Sequence, residues 1–238
     1  MATNLPGGRC LFEKNVCFLR AARLDSTCSP LAGVNNGVVT SGIITMTRSP
    51  EITEGTEFDF VNGCGTQLAY AKDPDRIKRF NLTGELTVMD AELFEILFAG
   101  DLIVADVGED FAGQNIGYAS PIGEVGTEGT SLEVWTQAVF GVGGGCSSDA
   151  SAPAYVRHVF PRATLVEGDR TFENANATVS FTGQAFANPA WGNGPWNDYP
   201  GTYPAPLNSA HFWFQETDLP ASVSGAGCGY ITVPADVS

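Results

Sequence analysis

The chain has 238 residues and a net charge of −15, from 12 basic and 27 acidic side chains. Such a chain is a poor candidate for binding nucleic acid through its phosphates, which requires clustered Lys and Arg. Charged residues make up only 16 % of the sequence, and its 28 Gly and 14 Pro indicate many turns. We therefore expect a β-rich fold in a single domain over residues 1–238, with much neutral surface that neighbouring subunits could cover.

Residues 1–15 are predicted to form a flexible N-terminal arm, because Pro6, Gly7 and Gly8 interrupt any regular element. The first strand is expected to begin at Val16. Apolar runs and alternating patterns between turn signals predict the later strands. These strands cover residues 38–47, 58–61, 67–71, 80–88, 132–140, 155–160, 163–166, 177–187, 210–215 and 230–233.

The one helix that the sequence predicts covers residues 89–100. Asp90 is a suitable N-cap, and Glu92 lies in the first turn, where the helix dipole favours a carboxylate. Leu93, Phe94 and Leu97 belong to a broad apolar face. We expect this face to cover one side of a sheet and Gly100 to end the helix. The fold predicted overall is an all-β, antiparallel β-sandwich of two packed sheets with this single helix.

Residues 41–62 contain an acidic segment with strand-like alternation. A strand is expected to break at Ser49 and Pro50 and to resume at Phe58. One parity carries apolar side chains and the other carboxylates, which is typical of a strand with one buried face and one wet face. The apolar set is Ile52, Phe58 and Phe60, and the acidic set is Glu51, Glu57 and Asp59. Glu54 falls on the apolar parity, but Gly55 follows it and can shift the register. A solvated outer hairpin rim is the alternative.

Apart from Arg48, positive charge is confined to three patches, and the sequence has no Lys or Arg between Arg79 and Arg157. This segregation favours complementary faces within an assembly. The central patch is predicted to meet acidic residues of a neighbouring subunit. Its members are Lys72, Arg76, Lys78 and Arg79.

No pattern indicates catalysis, a metal or a cofactor. The only two histidines, His158 and His211, lie in aromatic-rich segments, where packed strand residues are expected. The six cysteines contain no C-x-x-C pair, so a zinc site is not predicted, and folding with free thiols in a cytoplasm is expected. No secretory signal and no membrane-spanning apolar run are predicted.

Residues 188–206 form a predicted irregular loop rich in Pro, Gly and aromatic residues. If Trp191, Trp196, Tyr199 and Tyr203 were exposed, they could form a sugar-binding platform. Packing of these rings onto the domain or onto a neighbour is the favoured alternative.

An ordered set of motifs resembles the major tail tube protein of long, non-contractile-tailed bacteriophages, in its actinobacterial-phage form. The set runs through most of the chain, from about residue 17 to about residue 233, although residues 111–130 and the C-terminal tail match no pattern. Its members are RLDSTCSP at 23–30, a Ser-Gly strand followed by Ser-Pro-Glu at 49–51, the acidic hairpin, Asn-Gly at 62–63, LEVW at 132–135 and NPAWGNGP at 188–195.

The resemblance implies a structural virion protein without catalysis or cofactor. Its subunits would form hexameric rings that stack into the tail tube, each donating two β-hairpins to a continuous inner barrel. Expected partners are further copies of the chain, the tape measure protein and DNA in the lumen without specific binding, and the tail terminator and tail tip proteins. Location would be the virion tail, after assembly in the host cytoplasm.

From the resemblance and the acidic alternation together, Glu51, Glu54, Glu57 and Asp59 are predicted to belong to an inner-barrel hairpin whose acidic wall DNA does not adhere to. Two alternatives remain open: a carbohydrate-binding β-sandwich module, and a related ring protein of the tail terminus or neck.

Overall fold

A computed structural model of the chain describes residues 9–87, 90–122, 129–142, 155–171, 177–199, 208–224 and 228–235. Within these ranges the backbone is mostly antiparallel β-structure with two helices, which confirms the all-β prediction at that level. The strands are β1 (Arg9–Arg23), β2 (Gly33–Thr40), β3 (Ile43–Thr53), β4 (Glu57–Val61), β5 (Gln67–Lys72), β6 (Arg76–Leu86), β7 (Asp101–Val104), β8 (Asn115–Ala119), β9 (Thr130–Val142), β10 (Tyr155–Thr171), β11 (Thr178–Phe186), β12 (Phe212–Glu216) and β13 (Gly229–Val233). The helices are α1 (Ala91–Phe98) and α2 (Ala221–Ser224), with a 3-10 turn at Pro189–Trp191.

Nine of the described strands belong to one hydrogen-bonded sheet, in the order β13-β2-β1-β9-β10-β11-β6-β3, with β12 also paired to β10. The sequence predicts two sheets, whereas the pairing path is continuous because β10 is long enough to change partners. Its first part pairs with β9 and β12, and its second part pairs with β11. The four strands β10, β11, β6 and β3 therefore form one end of the sheet.

Helix α1 covers the core as predicted. Asp90 caps it by accepting a hydrogen bond from the backbone N–H of Glu92. Leu93, Phe94 and Leu97 are buried in the main apolar cluster, together with Leu82 of β6 and other sheet residues. The helix ends one residue earlier than predicted, because Ala99 rather than Gly100 adopts the left-handed conformation, with φ of 55°.

Several boundaries differ from the sequence predictions, and three of them involve strand ends or prolines. Residues 9–15 belong to β1, which pairs with β9 from Arg9 onward, so the predicted N-terminal arm over 1–15 is wrong for these residues; residues 1–8 lie outside the described ranges. Strand β3 continues through Pro50, which lies on an outermost strand and needs no ladder N–H there. Strand β10 continues through Pro161, where a register shift accommodates the missing N–H.

Residues 43–86 form one long hairpin, made of β3, β4, β5 and β6, whose distal part extends beyond the sheet. The ladder between β3 and β6 ends at Thr53 and Arg76, and β4 then pairs only with β5. Where the two ladders meet, the backbone N–H of Gly55 donates to Asp75 Oδ1 at 2.9 Å. A side chain at Gly55 could not fit, because its Cβ would lie 1.8 Å from the carbonyl oxygen of Asp73.

A second, smaller hairpin, β7–β8, lies beside α1 and was not predicted. It falls between the predicted helix over 89–100 and the predicted strand over 132–140, where no helix or strand is predicted. Its strands are only four and five residues long, and turn-forming residues separate them, which weakens the periodic signal. Among the described residues, no helix has the length and apolar character needed to cross a membrane.

A candidate assembly surface

One face of the four-stranded end of the sheet is lined by small polar side chains. Cross-strand partners in an antiparallel ladder lie on the same face, so the strand registers show which side chains form a row across the sheet. Thr47 pairs with Thr83, and Thr83 pairs with Thr182. In the next row Ser49 pairs with Asn81, and Asn81 with Gln184.

On β6, β10 and β11 the opposite face is buried. Leu82, Leu86, Leu165, Val179 and Phe181 alternate with the polar residues and are at most 2 % exposed. One face is therefore fixed against the core, and the other remains free. We call that free side the polar face; its members are Thr45, Thr47, Ser49, Glu51, Arg79, Asn81, Thr83, Glu85, Arg162, Thr164, Val166, Ser180, Thr182, Gln184 and Phe186.

Both edges of this four-stranded end are open within the described residues. Strand β3 is the last strand of the path and pairs with β6 alone. On the other side, the pairing of β9 with β10 stops at Ala163, so residues 164–171 have a ladder partner only in β11. Unpaired edge strands present rows of free N–H and C=O groups that can pair with another chain.

The distal part of the long hairpin has two different faces. Phe58 opposes Ala71 and Phe60 opposes Ala69, which gives an apolar face. The other face carries Glu57 opposite Lys72. The alternation in the sequence therefore predicts the two faces correctly. Neither face is buried within the chain, since Phe58 and Phe60 are 45 % and 56 % exposed.

The four predicted lumen residues are all on the long hairpin but not in one cluster. Glu51 is part of the β3–β6 ladder, where Arg79 Nε donates to Glu51 Oε2 at 2.6 Å. Glu54 is exposed at the junction between the two ladders. Glu57 and Asp59 lie on β4, where Asp59 Oδ1 accepts from the Gln67 side-chain amide at 2.9 Å.

Three of the four predicted interface cations are paired within the hairpin itself. Lys72 Nζ lies 3.2 Å from Glu57 Oε1, and Lys78 and Arg79 both contact Glu51. The carboxylate of Glu57 raises the pKa of Lys72, and the hydrogen bond from Arg79 lowers the pKa of Glu51. Among the described residues, Arg76 alone of the four predicted interface cations shows no ion pair.

These ion pairs lower the net negative charge that the sequence suggests for the hairpin. An uncompensated acidic wall was expected over residues 51–59, whereas Glu51 and Glu57 are each balanced by a basic neighbour on the same hairpin. The members of the polar face were not singled out from the sequence. Their signal is the alternation of Thr, Ser or Gln with apolar residues along β3, β6 and β11, which also fits any half-buried strand.

The aromatic loop packs onto its own domain, as the favoured alternative predicted. Trp191 is 1 % exposed and Trp196 is 8 % exposed, and Tyr199 contacts the ring of Phe214 edge-on. Tyr203 lies outside the described residues. The rings of the described part of the loop are therefore occupied, which removes the observation that favoured a sugar-binding platform.

A buried ionic network fixes this loop against β1, β9 and β10. The guanidinium of Arg20 donates to Glu133 Oε2 at 2.6 Å and to Asp198 Oδ2 at 2.9 Å, and it stacks on the Trp196 ring. Arg157 donates to the other oxygen of Glu133 at 2.6 Å. Burial opposes charge on Arg157, but its carboxylate partners outweigh that effect and raise its pKa.

No group of three or more potential metal ligands occurs among the residues that the structure describes. The cysteines whose side chains the structure describes are all free thiols: Cys17, Cys28, Cys64 and Cys228. His158 lies in β10 and His211 directly precedes β12, and both are partly buried. No family model matches the chain, and no curated protein matches its sequence.

Proposed function

We propose that this chain is a structural subunit that assembles with further copies of itself into rings that stack as the tail tube of a long-tailed phage. The observation that carries the proposal is the four-stranded end of the sheet. It is built from two hairpins, has one buried face and one polar face, and is open at both edges within the described residues.

Two open edges at opposite sides of one sheet favour a heterologous contact. If β3 of one copy pairs with the free part of β10 in the next copy, every subunit uses both edges and a closed ring leaves none exposed. The polar face would then line the inside of the ring as a continuous barrel. The motif resemblance described above supports six subunits in each ring.

The composition of the polar face suits a passage for DNA. Most of its side chains are Thr, Ser, Asn or Gln, and of its two arginines, Arg79 and Arg162, the first is paired with Glu51. Phosphate groups bind tightly only where clustered Lys or Arg displace counterions. A duplex or an extended tape measure protein could move along such a wall without specific adhesion. The paired acids at Glu51 and Glu57 would add little attraction or repulsion.

The distal part of the long hairpin supports self-assembly independently. A two-stranded hairpin with exposed phenylalanines is only marginally stable alone in water, so it gains most by packing against another surface. We assign that surface to a neighbouring copy, in the same ring or the next one.

Negative-stain electron microscopy of the purified chain tests the proposal. Rings or tubes of uniform diameter with a central channel are expected, in a form that size-exclusion chromatography resolves from monomer. A chain that stays monomeric over a wide concentration range, or forms only irregular aggregates, would contradict it.

A further inference from the structure

A chain of three hydrogen bonds connects the root of the long hairpin to the opposite part of the sheet. Arg48 Nη1 of β3 lies 2.9 Å from His211 Nδ1. His211 Nε2 lies 3.2 Å from His158 Nδ1, and the two ring planes are 16° apart. His158 Nε2 lies 2.7 Å from Glu13 Oε2 of β1.

The direction of these bonds follows from what each end can do. Arginine only donates, so His211 Nδ1 must accept and its single proton must be on Nε2. That proton is donated to His158 Nδ1, which leaves the proton of His158 on Nε2. This last N–H donates to Glu13, a carboxylate that only accepts, so all three bonds form only when both imidazoles are neutral.

One added proton breaks the chain. If His158 is protonated, its Nδ1–H faces His211, whose Nε2 must then accept and whose own proton moves to Nδ1. That N–H would point at the donating guanidinium of Arg48, and the bond to β3 would be lost. Protonation of His211 produces the same conflict directly.

Among the described residues that line this site, no other ionisable group could compensate. Glu13 comes from β1, Arg48 from β3 and His158 from β10. The remaining walls of this open cavity of about 480 Å³ include Phe160, Trp213 and Val134, and Thr136 donates a hydrogen bond to Glu13. From β6, the ring of Phe80 lies against the guanidinium of Arg48 and contacts the ring of His211 edge-on.

We propose that the series Arg48, His211, His158 and Glu13 is an acid-sensitive tie that holds strand β3, and with it the long hairpin, against the β10 and β12 strands. The tie is strongest at neutral pH and above, and it weakens as the pH falls. The inference does not depend on the proposed function, because it concerns contacts within one chain.

The pH window follows from His211. Burial, Arg48 and His158 lower its pKa from the ordinary value to about 3. Between that value and an ordinary histidine pKa of about 6.5, the unfolded chain binds more protons than the folded one. Folded stability at this site is therefore complete above about pH 6.5 and declines as the pH falls through that window.

Hydrogen exchange of the full chain, read by mass spectrometry, tests the tie. After correction for intrinsic exchange rates, protection of the peptide over residues 45–50 should fall about fivefold between about pH 7 and about pH 5, the factor expected for one lost hydrogen bond. A peptide from β9 over residues 132–136 should change much less. Equal protection of the β3 peptide at both pH values would overturn the proposal.

Two variants separate the tie from general acid effects. Arg48→Met removes the donor at an exposed position, so β3 protection should be low at both pH values and no longer depend on pH. Arg79→Met alters an arginine of the same hairpin that does not contact either histidine, and it should keep the full pH response. A pH response that survives in Arg48→Met would show that the histidines are not responsible.

The tautomers give a second, direct measurement. The chain has only two histidines, so nitrogen-15 signals from their rings can be assigned without ambiguity. At about pH 7.5 each ring should carry its proton on Nε2. A proton on Nδ1 of either ring at that pH would contradict the direction of the chain.

Discussion

Arg20 and Arg157 illustrate how this protein tolerates charges in its interior. Both are at most 2 % exposed, and both share the fully buried carboxylate of Glu133. Asp198 and Glu216 complete the network, so two guanidinium groups face three carboxylates. Buried charges are costly unless they are paired, and removing one partner leaves the others uncompensated.

The substitution Arg20→Met should destabilise the fold strongly. It keeps the length of the side chain but removes the Arg20 donor from Glu133 Oε2, Asp198 Oδ2 and Ser222 Oγ and leaves the carboxylates in excess. We expect a loss of about 3 kcal/mol in the free energy of unfolding, measured by urea titration at neutral pH. The loss should shrink in acid, because protonation relieves the excess carboxylates.

A matched control is Lys78→Met, which removes a cation from an exposed pair with Glu51. Exposed ion pairs contribute little, so this change should stay within about 0.5 kcal/mol. If the two variants lose similar stability, the interior network does not carry the energy assigned to it.

At the scale of residues, the sequence predicts which face a side chain lies on better than it predicts the partner of that side chain. The alternation around Glu51 and Glu57 places the carboxylates on a different face from Phe58 and Phe60. Their neutralisation by Arg79 and Lys72 depends on the register of the hairpin, which a bulge after Glu51 shifts. Periodicity alone does not fix such a register.

At the scale of elements, the long hairpin is the least self-sufficient part of the described chain. Its distal strands β4 and β5 pair only with each other, and all of their residues are exposed. By contrast, α1 contributes five buried side chains to the core. Stability in the distal hairpin must therefore come from something that packs on it.

The paired substitution Phe58→Ser and Phe60→Ser should abolish assembly while leaving the subunit folded. Both rings are exposed in the single chain, so their loss costs little stability there, but it removes the apolar face through which we propose contact with a neighbour. Sedimentation velocity should show mainly monomer, with thermal unfolding close to that of the unsubstituted chain.

Tyr70→Ser provides the control, because Tyr70 is also 56 % exposed but opposes Asp59 on the other face of the same hairpin. Assembly should persist in this variant. Tubes that form normally with both phenylalanines replaced would contradict the assignment of that face as an interface.

Elements with strong local signals were predictable and those that depend on distant partners were not. Helix α1 has a cap and a continuous apolar face, and its prediction is confirmed. The continuation of β10 through Pro161 could not be predicted from a local signal. It depends on pairing with β11, in which Phe186, the partner of Arg162, lies 24 positions further along the sequence.

For the whole molecule, ring closure would account for both the unpaired edges and the polar face. A sheet end with two open edges is an aggregation hazard unless the edges find specific partners. Ring closure would remove that hazard and would also turn the polar face inward. A surface made mostly of hydroxyl and amide groups would then line a channel instead of facing bulk solvent.

Adding positive charge to the polar face tests this arrangement most directly. The paired substitution Thr83→Lys and Thr182→Lys places two cations side by side, since these residues are cross-strand partners on β6 and β11. Both are exposed and their neighbours in the core are unchanged, so rings should still assemble. Duplex DNA carries one negative charge per ~1.7 Å of its axis, so repeated lysines around a channel should retain it.

Phage built with the Thr83→Lys and Thr182→Lys subunit should release their genome slowly or incompletely, and the defect should weaken as salt rises, because binding through counterion release depends steeply on ionic strength. Lysines at Val34 and Asn35, exposed on β2 outside the polar face, add the same charge per subunit and should leave release unchanged. Release is measured as the fraction of genome that becomes accessible to nuclease over time. Equal rates in both lysine variants would mean that the polar face does not line the channel through which DNA passes.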